Sequence, residues 1–156
     1  MTTTPSAQPP LIAATREPAV RDIIVRGKLD DVPSFRLAAG QVLRGEDDRC
    51  SITFAKGSDG VELTTDNEVS TLRLTASPDK RVVFNDTQVT TLGRMRLAAI
   101  IATGQVQILA RDAIKGGHVD VDGLDIVAAD ARARTERPQG FGVHVLQGAF
   151  TLWNMQ

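Results

Sequence analysis

The stretch VDVDGLDIV, residues 119 to 127, sets three carboxylates within six positions: Asp120, Asp122 and Asp125. Alternate residues of a strand emerge on one side, so Asp120 and Asp122 project together, and Asp125 follows after a turn at Gly123. Carboxylates grouped in this way can hold Ca²⁺, or serve as general acid and base at a glycosidic bond. Arg96 is expected beside Asp120. A second group, Arg132, Arg134 and Arg137, falls in an insertion spanning residues 129–141 that must overhang His144. Guanidinium forks there suit a uronate or a phosphate. The candidate catalytic residues are therefore Asp120, Asp122, Asp125 and His144, and the candidate ligand-binding residues Arg96, Arg132, Arg134 and Arg137. A plainer reading stays open, in which the aspartates solvate an exposed sheet face, Arg96 and Asp120 form a routine cross-strand pair, and the insertion is a solvated loop.

Other chemistries find no support. His118 and His144 lack Cys or Glu partners at metal spacing, so no resident metal is assigned beyond the Ca²⁺ candidate face. No phosphate-binding glycine loop, nucleophile elbow or nucleic-acid motif is present. With 18 basic and 19 acidic residues in 156, the chain carries a net charge of −1, too little to recruit nucleic acid or an anionic membrane. The single cysteine, Cys50, reads as a small buried side chain. No window approaches a membrane span, and the start lacks a signal-peptide pattern, so a cytoplasmic location is expected.

The elements that would position these residues read as short strands. From Val20 onward apolar and polar residues alternate, as in Val61-Glu62-Leu63, Leu72-Arg73-Leu74, Val106-Gln107-Ile108 and Val143-His144-Val145. Taking Val61, Val82, Val106 and Val143 as coil starts gives separations of 21, 24 and 37 residues, the last containing the insertion. Recurring offsets with non-recurring residues point to a solenoid, each coil giving one strand to each of several parallel sheets. The expectation is an all-β, right-handed parallel β-helix of about 4–5 coils over residues 20–156, behind a flexible Pro/Thr-rich tail at 1–19. Expected inward columns are Val61/Val82/Val106/Val143 and Leu63/Phe84/Ile108/Val145. Expected outward columns are Glu62/Val83/Gln107/His144 and Arg73/Arg96/Asp120. An antiparallel sandwich or barrel is the competing fold, since Asp59-Gly60 and Asp122-Gly123 are also hairpin signals.

The segment GQVLRGEDDRCSITFAKGSDGVELTTDNEVSTLRLTA, residues 40 to 76, resembles the opening coils of right-handed parallel β-helix proteins of the pectin-lyase-like superfamily, and the likeness spans about residues 33 to 127. The resemblance implies a bacterial protein of an architecture shared by pectate lyases, polygalacturonases and epimerases. It also suggests an N-terminal cap, to which residues 17 to 25 would contribute. VDVDGLDIV is loosely similar to the acidic motifs of those enzymes, but the Gly-His-Gly and Arg-x-Lys elements of the hydrolases are absent, so enzymatic activity is left unassigned. Two functions remain: binding or modifying an acidic polysaccharide along the outer face, or a non-catalytic scaffold that self-associates. The chain stops thirteen residues after Val143, in mid-coil, so the expected partner at that end is another subunit or further coils of a longer protein.

Overall fold

A computed structural model describes residues 1–89, 91–108, 118–129, 143–145 and 149–153. Its elements are β1 (Thr2–Thr3), α1 (Gln8–Thr15), β2 (Asp22–Val25), β3 (Lys28–Val32), β4 (Phe35–Arg36), β5 (Val42–Gly45), β6 (Ser51–Phe54) and β7 (Val61–Leu63). Then come β8 (Glu68–Thr75), β9 (Arg81–Asn85), β10 (Arg94–Thr103), β11 (Gln105–Ile108), β12 (His118–Ala128), β13 (Val143–Val145) and β14 (Ala149–Trp153). Every strand pairing among the described residues is parallel. That removes the hairpin-linked sandwich, and the chain forms a parallel β-solenoid of about 5 turns.

Each coil has three faces. The first is β2, β5 and the leading halves of β8, β10 and β12; the second is β3, β6 and the trailing halves of the same three strands. The third is the separate sheet β4-β7-β9-β11-β13. Between the first two faces the backbone turns through left-handed residues: Gly27 at φ 71° in the first coil, then Thr71 at 54°, Ala99 at 52° and Gly123 at 73°, the last three stacked in register. Thr71 and Ala99 make this turn inside unbroken strands, at a conformational cost that glycine would avoid.

The core is a set of inward columns. Ile23, Leu43, Val69, Leu97 and Val121 stack beneath the first face at separations of 20, 26, 28 and 24 residues, all at most 3% exposed. Leu29, Ile52, Leu74 and Ala102 line the second face, and Phe35, Val61, Val83 and Val106 the third. Each of the larger side chains contributes roughly 1.5 to 3 kcal/mol on burial, which one coil alone could not collect.

All four expected columns are corrected by this register. Val83, not Val82, lies over Val61, and Phe84 takes the outward place between Glu62 and Gln107. The β9–β11 pairing shifts register between Gln105 and Val106, passing over Val82, and since Val82 and Val83 are both fully buried, hydropathy could not distinguish them. Arg73 does not share a column with Arg96. Arg96 lies between Glu68 and Asp120, while Arg73 is past the corner, opposite Ser51 and Ile101.

The stretch expected to be a flexible tail is built into the fold. β1 adds to the edge of β2, and α1 touches β2, β3 and β4, burying Leu11 completely. The cap thus comes from residues 8–15 rather than from 17–25, where Asp22–Val25 is already strand. Pro9 and Pro10 suggested an irregular segment, but they occupy the first helical turn, where a missing N–H costs nothing. Gln41, fully buried, fastens the cap: its Nε2 donates to the carbonyls of Ala14, Glu17 and Val20 at 3.1, 3.1 and 3.0 Å, and its Oε1 accepts the Ala38 N–H at 2.8 Å. One coil on, Asn67 stacks at the same corner, accepting the Thr64 N–H at 2.6 Å and donating to the Ala38 and Gln41 carbonyls. Among the described residues no helix is long and apolar enough to cross a membrane.

Candidate functional site

The corner between the first and second faces carries two adjoining grooves. One, of about 560 Å³, runs along the first face between Arg44, Glu46, Glu68, Arg96 and Asp122. The other, of about 360 Å³, lies past the corner between Asp48, Arg73 and Asp125. They share Thr71, Ala99 and Gly123. The floor is made of small residues: Ser70 and Ala98 stand on the outward side of their strands yet are each only 7% exposed, because longer neighbours rise around them.

The wall has a local cause. Other coils cross this corner in one or two residues, whereas the coil joining β5 to β6 inserts Glu46–Cys50. Gly45 lets it start: a Cβ there would collide with the Thr71 carbonyl oxygen. Glu46 is then held by both Arg26 nitrogens at 3.1 and 3.2 Å. Asp47 accepts the Arg49 N–H at 2.9 Å and the Arg49 guanidinium at 3.0 Å, and these bonds, the backbone one foremost, hold its carboxyl below the usual carboxylate range. Cys50 closes the loop, 2% exposed, with its Sγ 3.6 Å from Asp47 Oδ1, consistent with a structural thiol.

Of the residues singled out from sequence, Arg96, Asp120, Asp122 and Asp125 come to this corner. Arg96 and Asp120 are in register on neighbouring rungs. They are not each other's partner: Arg96 Nη1 lies 3.4 Å from Glu68 Oε1, and Asp120 Oδ1 lies 2.8 Å from His118 Nε2. Asp122 and Asp125 line different grooves, separated by the Gly123 turn. Among the described residues no three His, Cys, Asp or Glu side chains gather to hold a metal ion. His144 belongs elsewhere, since β13 pairs with β11 on the third face, His144 opposite Gln107. Arg132, Arg134 and Arg137 lie outside the described residues.

The reading from sequence passed over Arg44 and set Arg73 in a column with Arg96 and Asp120 without counting it among the ligand-binding residues. Both are exposed, and neither has a carboxylate partner among the described residues. Their signal was present as an isolated arginine between apolar neighbours in each strand. The third face is dressed differently, with Arg36 bridging Glu62 and Asp86, and Arg81, paired to Asp59, lying 4.0 Å over the Phe84 ring. Compared with known protein families, curated proteins and solved structures, the chain has no match.

Proposed function

We propose that this solenoid binds a carbohydrate along the corner grooves, with an acidic saccharide of the kind handled by pectin-lyase-like proteins as the ligand class. The observation that carries the reading is the groove itself, a small-residue floor beside the guanidinium groups of Arg44 and Arg73, which have no carboxylate partner among the described residues, and the carboxylates of Asp122 and Asp125. A hydroxyl-rich ligand needs donors and acceptors interleaved, and this lining supplies both: arginines donate to carboxylate and ring oxygens, aspartates accept from hydroxyls. Among the described residues the lining holds three arginines, Arg44, Arg73 and Arg96, and five carboxylates, Glu46, Asp48, Glu68, Asp122 and Asp125. Attraction for an acidic sugar would therefore come from local forks, not from a net positive field. Among the described residues no aromatic side chain lines the two grooves, so recognition would rest on hydrogen bonds instead of ring stacking.

Titration calorimetry with neutral and uronate oligosaccharides, with and without Ca²⁺, tests the reading. Binding of at least one oligomer is expected, weakened about tenfold by Arg44→Ala or Asp122→Ala, and for a uronate weakened further by salt. The same mixtures, assayed for new reducing ends or unsaturated products, report whether the ligand is also modified. An absence of heat with every oligomer removes the proposal.

A further inference from the structure

Among the described residues two strands of the first coil, β3 and β4, have no strand on their outer edge. On the first face β1 covers β2, with Thr2 opposite Asp22, Thr3 opposite Ile23, and Arg26 N–H donating to the Pro5 carbonyl. On the third face β4 is the last strand of its sheet. Its ladder to β7 uses the N–H groups of Phe35 and Leu37, which donate to Gly60 and Glu62 at 3.2 and 2.9 Å. Because successive peptide groups of a strand point to opposite edges, the N–H and C=O of the intervening Arg36 point away from β7. They open into a groove of about 540 Å³ whose opposite wall is α1, through Ile12, Thr15 and Arg16.

We infer that this groove takes an extended acidic peptide segment of a partner protein, which adds to β4 as a further strand. The edge offers the Arg36 N–H and C=O as a donor and acceptor side by side, a pair that a polypeptide backbone complements, and adding a strand to a free edge is a recurrent way of binding one. The chain already does this to itself one face away, where β1 lies on β2. The charge of the segment follows from the lining: among the described residues its ionisable side chains are Arg16 and Arg36, with no carboxylate. Arg36 is engaged with Glu62 and Asp86, while Arg16 has no carboxylate partner among the described residues and remains to meet one.

The test uses the full chain and two acetylated, amidated hexapeptides, alternating Val-Glu and alternating Val-Lys, followed by fluorescence anisotropy. Arg36→Pro removes the edge N–H at a place where an edge strand tolerates proline, and Arg36→Ala removes only the guanidinium; circular dichroism confirms that both variants fold. The Val-Glu peptide is expected to bind the chain, and to bind Arg36→Pro about tenfold more weakly than Arg36→Ala. Arg16→Glu, on the exposed end of α1, should abolish the preference for Val-Glu over Val-Lys. Failure of both peptides to bind, or equal binding by the two Arg36 variants, overturns strand addition. A preference that survives Arg16→Glu overturns the acidic assignment. Dimers that sediment as such and disappear in Arg36→Pro, without peptide binding, would make a second copy the occupant instead.

Discussion

Replacing Gln41 with methionine keeps the volume of the side chain and removes its polar end. The amide serves three carbonyls with two hydrogens, so its Nε2 contributes two bonds' worth of interaction at most, and Oε1 one more from Ala38. Each such bond contributes about 1 kcal/mol net, and a buried partner left without one costs about as much again or more. The Ala14 and Val20 main chains lie under nearly buried residues and have little access to water. A loss of about 3 kcal/mol is therefore expected, which for a chain of this size lowers Tm by roughly 6 to 12 °C if the cap unfolds with the coils. If the cap opens separately, the loss appears as faster amide exchange in α1 and in residues 20–25, with Tm nearly unchanged. Urea unfolding followed by circular dichroism, together with hydrogen exchange, distinguishes these cases. A Gln41→Met variant that changes neither stability nor exchange by the equivalent of about 1 kcal/mol would refute the latch.

Two further predictions concern the corner and the ion pairs. Thr71→Gly and Ala99→Gly relieve left-handed backbone at 54° and 52°, and each should raise stability to urea by roughly 1 kcal/mol, whereas Gly123→Val should lower it by about as much or more. Asp86 accepts the Gln88 N–H and, next in weight, the Arg36 guanidinium, which together hold its carboxyl below the ordinary range. The unfolded chain therefore takes up this proton first, near pH 4. The stabilisation is present at neutral pH and is lost as pH falls from about 4 through the lower folded value. In acid titrations monitored by Tm, Asp86→Asn should show a shallower loss over that window than the unaltered chain.

The parallel solenoid was legible because stacking imposes the same alternation on every coil, and alternation survives in a single sequence. The exact register was not legible. Thr71 and Ala99 turn the chain with residues that ordinarily continue a strand, so the corner inside VSTLRL and RLAAII left no Gly, Pro or Asn to mark it. Misplacing that corner put Arg73 on the wrong face and joined it to Arg96. The cap was missed for a related reason, since a proline pair reads as a breaker unless the helix is known to begin there. Its anchor, Leu11, and its latch, Gln41, are thirty residues apart in the chain and carry no local pattern.

The site divides along the same line. Asp122 and Asp125 could be placed facing outward from their spacing alone, and each lines one of the two grooves, while Asp120 stands in register with Arg96 outside the groove lining. What surrounds them depends on which residues the neighbouring coils place alongside. Arg44 and Ser70 precede Asp122 by two coils or more, and they reach its groove only because Arg44, Ser70, Ala98 and Asp122 fall on one column of the first face. The groove's depth likewise comes from Glu46–Cys50, an excursion that looks in sequence like any polar turn. It becomes a wall because the coils beyond it cross the corner in a single residue. A binding surface on a solenoid is thus set by differences between coils, and those differences gain meaning only once the coils are in register.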